Sequence, residues 1–506
     1  MSNEIKKLEK LNSDLKRIKY SFLNYTKNLT APIQIYTHLD ADGLSAGAIL
    51  GKLFYRENIP FQITVLRQLE KREIEKIAEK VDVNNNYLIF SDFGSGQYQE
   101  LHSELIDKRN CSNFLILDHH IPQNISSKED INLIEEVHEV TKEWHINPYF
   151  FGVDGSIEIS GAGLSYYFAK CINPENIDLS SLALIGAVGD VQNQGLNNSF
   201  LGLNELISED AIKSGKIEVL NDLNFSAIKP LNEAIAYSKD INLPGLSKDV
   251  NRTLIFLKTR GILMENSEGK VKNLNELDQD EKQKISSAII EYASLKLDLE
   301  PSKIIKKLIV NRYLLKNELI GSEIHDIKDF SKLLNACGRT HNASLGIAIA
   351  MGDRKDIYRQ SKEVLKSYRK SLAKSLSWIE TNEKIQQKDS IQYFMGEEVI
   401  PESIIGTITS ILIFDHSKGV DISKPLFGLA KRADEDVYKV SGRAHEKIVN
   451  KGVNLSIVIR EASNLSDINS LGGGHPPAAG TKIPINKLDV FLENCNKIVR
   501  NQLQNN

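Results

Sequence analysis

Four apolar stretches of this chain run straight into carboxylates and imidazoles. "PIQIYTHLDADG" delivers His38, Asp40 and Asp42; "YLIFSDFG" delivers Asp92; "NFLILDHH" delivers Asp118, His119 and His120; "SLALIGAVGDVQN" delivers Asp190. A buried strand has no use for such side chains, but the mouth of a sheet does. Carboxylates brought close repel one another unless a cation sits among them. A set rich in carboxylate with one or two imidazoles suits Mn2+ or Mg2+ better than a thiol-rich zinc site. This many ligands would accommodate two ions about 3.5–4 Å apart, the arrangement that activates a water and stabilises a phosphoryl oxygen. Taken singly, Asp92, Asp118 or Asp190 reads as a helix N-cap, and a single His as a satisfied polar residue. The fourfold recurrence is what points to a metal site.

The elements that must position these residues alternate. A strand-like "PIQIYTH" is followed by a helical "GLSAGAILGKLFY", a strand-like "FQITVLR", a charged helix near 69 to 80, and then "YLIFSDF" and "NFLILDHH". Alternation with short connections predicts an α/β fold whose parallel sheet carries helices on both faces. Ligands of such sheets collect at the carboxyl ends of the strands. Ahead of the sheet, Ile5, Leu8, Leu11, Leu15, Ile18 and Phe22 recur every three or four residues as one helix face. That face packs on the body of the protein or, alternatively, against a partner helix.

The wider composition sets bounds. A length of 506 residues predicts two or three domains. A net charge of −4 means that any nucleic-acid surface is local rather than global. The four cysteines, Cys111, Cys171, Cys337 and Cys495, are far apart, which argues against a disulfide framework or a thiolate zinc site. No apolar window is long enough for a membrane span and the N-terminus is too charged for a signal peptide, so a cytoplasmic protein without a membrane partner is expected.

"HLDADG", "SDFG", "LDHH" and "GAVGD", in that order, resemble the four motifs of the DHH phosphoesterase superfamily. "LLNACGR" at 333–339 resembles a signature of RecJ-type nucleases, and "GGGHPPAAG" at 472–480 resembles the substrate-binding loop of the DHH-associated C-terminal domain. The resemblance implies that Asp40, Asp42, Asp92, His119 and Asp190 ligate two Mn2+ ions, with Mg2+ as the alternative and Asp92 bridging. It implies that His120 faces the scissile phosphate or its leaving group and that Asp118 orients the histidines. Where bacterial RecJ has an aspartate two residues before the D-A-D, this chain has His38, a candidate metal ligand or support for one.

Further along, "PLFGLAKRADEDVYKVSGRA" reads as two strands joined by an acidic turn and ending in Ser441 and Arg443. Together with the glycine run, they form a candidate nucleotide clamp of Arg443, Gly472, Gly473, Gly474 and His475, because glycines let backbone N–H groups approach an anion. Arg339 is expected at a phosphate nearer the metals, with a surface salt bridge as the alternative. Between Arg354 and Lys374 there are eight Lys or Arg against two acids, Asp356 and Glu363. This is either a solvated helix surface or a face that tracks the phosphates of a single strand.

The expected division is an N-terminal helix (1–30), a DHH catalytic domain (31–200), a mostly helical insertion (201–330), a return segment (331–352), a long connecting helix (353–388) and a smaller α/β C-terminal domain (389–506). The resemblance implies a Mn2+-dependent exonuclease acting on single-stranded DNA or RNA in replication or repair, similar to archaeal GINS-associated nucleases. Two alternatives stand: a phosphodiesterase of nano-RNA or cyclic dinucleotides, against which the insertion and length argue, and a replisome scaffold that joins GINS.

Overall fold

The computed structural model describes residues 2–27, 30–82, 85–123, 125, 130–238, 240–262, 265–297, 300–414, 419–432, 435–468 and 472–504. The chain divides into two compact units, Met1–Val364 and Leu365–Asn506.

In the first unit, β1 (Ile33–His38), β2 (Phe61–Leu66), β3 (Leu88–Ser91), β4 (Phe114–Leu117) and β5 (His145–Ile146) form a parallel sheet in the order β2-β1-β3-β4-β5. All four pairings are parallel. Every residue of β3 and β4 is buried, as a strand covered on both faces requires. One face meets the helix Lys71–Lys80, whose Ile74 and Ile77 pack with Leu88, Phe90, Phe114 and Ile116. On the helix Ala41–Arg56 pack the helices Gly161–Ile172 and Ser180–Gly189.

The N-terminal helix Ser2–Thr26 buries Leu11, Leu15, Ile18 and Phe22. Phe22 stacks on Phe54 at 5.8 Å and meets Phe168 edge-on at 5.5 Å, so the apolar stripe is a packing face against this unit's own body. Leaving the sheet, the chain builds a two-stranded antiparallel ribbon from β6 (Ile217–Leu223) and β7 (Ile309–Leu315). The helices strung between these strands enclose their own core around Leu231, Ile235, Phe256, Leu257, Ile285 and Ile289. The expectation of a mostly helical insertion holds for that interior, and the ribbon at its base is an addition.

In the second unit, β8 (Gln386–Gln387), β9 (Gln392–Met395), β10 (Leu426–Lys431), β11 (Val437–Arg443), β12 (Gly473–His475) and β13 (Ala478–Pro484) form a mixed sheet in the order β12-β13-β11-β10-β9-β8. Its core includes Phe427, Val440, Ile459, Phe491 and Val499. The helix Asp356–Thr381 runs across the division between the units. Its Leu365 and Tyr368 are buried, while Lys366, Arg369, Lys370 and Lys374 are exposed. The acidic turn expected between β10 and β11 lies partly outside the described residues, at Ala433 and Asp434, as does Leu471 ahead of the glycines.

Candidate metal centre

The register of the sheet explains how distant motifs meet. Thr37 pairs with Ser91, and Ser91 with Leu117, so β1, β3 and β4 end level and side by side. His38, Asp92 and Asp118 stand at those ends or one residue past them. Asp40 caps the helix that follows, its Oδ1 accepting the Gly43 N–H at 3.0 Å. Asp42, in the first turn and fully buried, accepts the N–H groups of Gly161 at 2.6 Å and Ala162 at 3.0 Å from the start of another helix. The Gly186 position has no room for a side chain, because a Cβ there would collide with the Asp42 carboxylate.

Asp190 comes from the C-terminal end of the helix Ser180–Gly189, not from a strand. A short run that is apolar at nearly every position carries no periodicity to separate a buried helix from a buried strand. The helix nevertheless brings Asp190 to the same place. His119 Nε2 lies 3.2 Å from Asp92 Oδ1, 3.2 Å from Asp190 Oδ2 and 3.8 Å from Asp42 Oδ2. On the other side of Asp92, His38 Nδ1 lies 3.4 Å from Asp92 Oδ2 and 2.9 Å from Asp40 Oδ2. Two sets therefore share one carboxylate: Asp42, Asp92, His119 and Asp190 on one side, His38, Asp40 and Asp92 on the other, with candidate ligand atoms inside 4.8 Å in each.

The donor chemistry fits divalent cations. Both Asp92 oxygens, His119 Nε2 and His38 Nδ1 are buried without a hydrogen-bond partner, although they face one another across a few ångströms. Such orphaned atoms are costly unless positive charge binds them. His119 Nδ1 makes a 2.6 Å hydrogen bond to the Gly155 carbonyl. A carbonyl only accepts, so Nδ1 carries a hydrogen and Nε2 is the atom that faces the carboxylates; a cation bound there would take the place of the Nε2 proton, leaving the tautomer of a metal ligand. Burial, reinforced by Asp92 and Asp190, pushes the Asp42 carboxyl well above the usual carboxylate range, and burial foremost raises Asp190. Burial would also raise Asp40, but His38 beside it holds it well below that range. Burial opposes a charged His119, yet Asp190 and Asp92 outweigh it and lift its pKa well above the ordinary value. The backbone is left-handed at the same spot, with φ of 61° at Asp92 and 58° at the β-branched Val191, for which that conformation is sterically disfavoured.

Beside the cluster, Asp118 Oδ1 holds His120 Nδ1 at 2.7 Å, and its Oδ2 accepts the Ser95 N–H at 2.8 Å. Asp118, expected to orient both histidines, contacts one of them. It grips His120, whereas His119 is fixed by the Gly155 carbonyl. Asp118 also belongs to a third set of candidate ligand atoms inside 4.8 Å, with Asp92, His119 and His120, while its two oxygens accept from Ser95 and His120. The His120 side chain is 44% exposed, which leaves it accessible at the edge of the cluster.

Arg339 is the last residue of the helix Ile327–Arg339 and is partly exposed. This helix touches the motif that carries Asp40: Asn335 Oδ1 accepts the Ala41 N–H at 3.2 Å, and Gly338 abuts the Leu39 carbonyl so closely that a Cβ would overlap it. Asn335 lies inside "LLNACGR", yet the motif alone does not single it out. Arg67 is a further residue that sequence reasoning missed, although it follows an apolar strand as the other candidates do. β2 ends beside β1, with Leu66 opposite His38, and Arg67 Nη2 meets His341 Nε2 at 2.9 Å.

The expected clamp residues lie in the second unit. Arg443, at the end of β11, donates from Nε to Ser410 Oγ at 2.8 Å and from Nη1 to the Gly442 carbonyl at 2.8 Å. The glycine run differs from expectation. Gly473, Gly474 and His475 are not an open loop but the strand β12, paired with Gly480, Ala479 and Ala478 of β13 across a turn containing Pro476 and Pro477. Small residues on both strands permit that close pairing. Gly472 packs against Ile459, where a Cβ would come within 2.6 Å, and Gly474 has φ of 145°, open in practice only to glycine.

The DHH-CID domain family matches residues 226–309 and the DHHA1 domain family residues 417–501. An uncharacterized protein of Methanocaldococcus jannaschii is 33% identical over 506 residues, covering 100% of both chains. RecJ of Thermus thermophilus in complex with Mn2+ superposes with a TM-score of 0.56 at 13% identity, over 96% of this chain. The chain belongs to one family with the Methanocaldococcus protein, carries DHH-CID and DHHA1 domains, and has a RecJ-like fold. It spans 55% of the Thermus RecJ chain. The RecJ-like fold is shared with CDC45 of Entamoeba histolytica, with a TM-score of 0.63, 12% identity and coverage of 97% of this chain and 99% of that one. Among the described residues, no helix is long and apolar enough to cross a membrane.

Proposed function

We propose that this protein is a Mn2+-dependent, single-strand-specific exonuclease that hydrolyses phosphodiester bonds of DNA or RNA in replication or repair. The observation that carries the reading is the doubly orphaned Asp92 carboxylate, shared by two ligand sets. His38, Asp40 and Asp92 would hold one ion; Asp42, Asp92, His119 and Asp190 would hold the other. Bound there, two such cations supply an activated water and a counter-charge for the phosphoryl oxygens. The donor set accepts Mg2+ as well as Mn2+.

The chain's own contribution is proton handling and grip. His120 keeps a proton on Nδ1 against Asp118, and its side chain is accessible at the edge of the cluster. Burial would depress its pKa, but Asp118 outweighs that and raises it, so the ring is suited to protonating a departing oxygen. Arg339 would meet a phosphate near the cluster. Arg443, Gly472, Gly473, Gly474 and His475 would bind substrate phosphates.

A second reading has a specific observation behind it. The match to CDC45 along nearly its full length, together with the DHH-CID domain, favours an added role as a replisome component that contacts GINS. Incubation with Mn2+ and DNA or RNA oligonucleotides labelled in turn at each end separates these readings. Progressive release of mononucleotides from long single strands, lost in Asp92→Asn, is the expected result. Cleavage confined to dinucleotides would replace the nuclease reading with a small-substrate phosphodiesterase. No metal-dependent cleavage of either would leave the scaffold.

A further inference from the structure

Behind the Asp118–His120 pair lies a set of buried polar residues that the chemistry above does not use. Ser95, His145 and Asn147 each have 0% exposure. Asn147 Nδ2 donates to Ser95 Oγ at 2.8 Å and to the His120 carbonyl at 2.8 Å, while its Oδ1 accepts the Tyr149 N–H at 3.0 Å. Ser95 gives its N–H to Asp118 Oδ2 at 2.8 Å, and its Oγ lies 2.8 Å from His145 Nε2.

We propose that Asn147 is a positioning residue for His120, anchored by Ser95 and His145 in a buried frame that fixes where the imidazole points. The proposal rests on the hydrolytic reading of the site. The hydrogen bond between Asp118 and His120 alone cannot set the ring's position, because both residues lie in the loop that follows β4 and could move together. The frame ties that loop down at two separate points: the Ser95 N–H holds the far oxygen of Asp118, and the Asn147 amide holds the backbone of His120.

The Asn147 N–H takes one lone pair of Ser95 Oγ, and the hydroxyl's hydrogen and second lone pair both remain for His145 Nε2, so the contact to the ring is kept in either neutral tautomer. Burial supports the neutral ring, pushing His145 down to about 3. The frame therefore stays uncharged around neutral pH and acts by geometry.

Asn147→Asp keeps the shape and the Tyr149 cap but removes both donors. We expect kcat on oligonucleotides to fall by about 10- to 100-fold, with KM and Mn2+ affinity changed by less than about twofold. Ser95→Ala, which retains the N–H bond to Asp118 and removes only the anchor of the amide, is a milder change that leaves folding in less doubt. We expect it to lower kcat by about tenfold with the same split. A second readout does not depend on activity: in 15N-histidine-labelled, Mg2+-loaded protein, the His120 Nδ1–H resonance should be protected from solvent exchange, and that protection should drop in both variants. If the parent protein cleaves and both variants match it, or if His120 Nδ1–H exchange is the same in all three, the positioning role is overturned. A parent that does not cleave overturns the nuclease reading, while the exchange comparison still decides the role of Asn147.

Discussion

In the first unit, the polar groups with chemistry to do are side chains taken out of water and aimed at one another: Asp42 and Asp92 are at most 1% exposed, and the Asp92 oxygens lack hydrogen-bond partners. In the second unit, the expected binding groups sit near the surface and are engaged within their own sheet. Gly473 and Gly474 are paired with β13, and Arg443 bonds to Ser410 and to a carbonyl. The first arrangement places charge where its neighbours cannot satisfy it, which is the signature of a site completed by something else. The second presents backbone and a restrained cation, which suits reversible contact with a phosphate chain more than chemistry. Substitutions should therefore act on kcat in the first unit and on KM in the second.

The largest effect that sharpens this contrast is expected at His120. His120→Gln should lower kcat by about 10²–10⁴-fold in the oligonucleotide assay while leaving KM near that of the parent. A fall in affinity with kcat preserved would break the comparison, because His120 would then behave like a clamp residue. Next comes Gly474→Ala, which forces a side chain on a residue with φ of 145°, against Ala479. It should cost roughly 1–3 kcal/mol in thermal or denaturant unfolding and raise KM for long strands with kcat little changed.

The smallest effect is on stability against pH, and it concerns the frame behind the first site. Burial lowers the His145 pKa from 6.5 to about 3, opposed in part by Asp118 and reinforced by His138. Between those values the unfolded chain binds a proton that the folded chain does not. The contribution is therefore complete above the unfolded pKa and is lost as pH falls from 6.5 towards 3. The melting temperature of His145→Gln should decline less steeply than that of the parent across this acid range. Parallel slopes would mean that His145 is not held neutral.

Much of the first unit was legible in the sequence. Strands β1, β3 and β4 announce themselves as apolar runs that stop at Asp or His, and the parallel alternation says that their ends meet. Asp190 was found by the same rule even though its run folds as a helix, because the rule depends on where apolar sequence ends and not on the element. Ser95, His145 and Asn147 could not be found that way, since a buried Ser or Asn has no spacing that distinguishes it from a loop residue; only the fold shows that their hydrogen bonds converge on His120. The glycine run was over-read as a loop. Glycine permits a loop, but it equally permits two strands to pair without side chains between them.

Counting bound ions tests the shared carboxylate most directly. Calorimetric titration of the metal-free protein with Mn2+ should give two ions per chain, one in His38→Ala, one in Asp190→Asn and neither at the parent's affinity in Asp92→Asn. An Asp92→Asn protein that still takes up both ions as tightly as the parent would contradict the account.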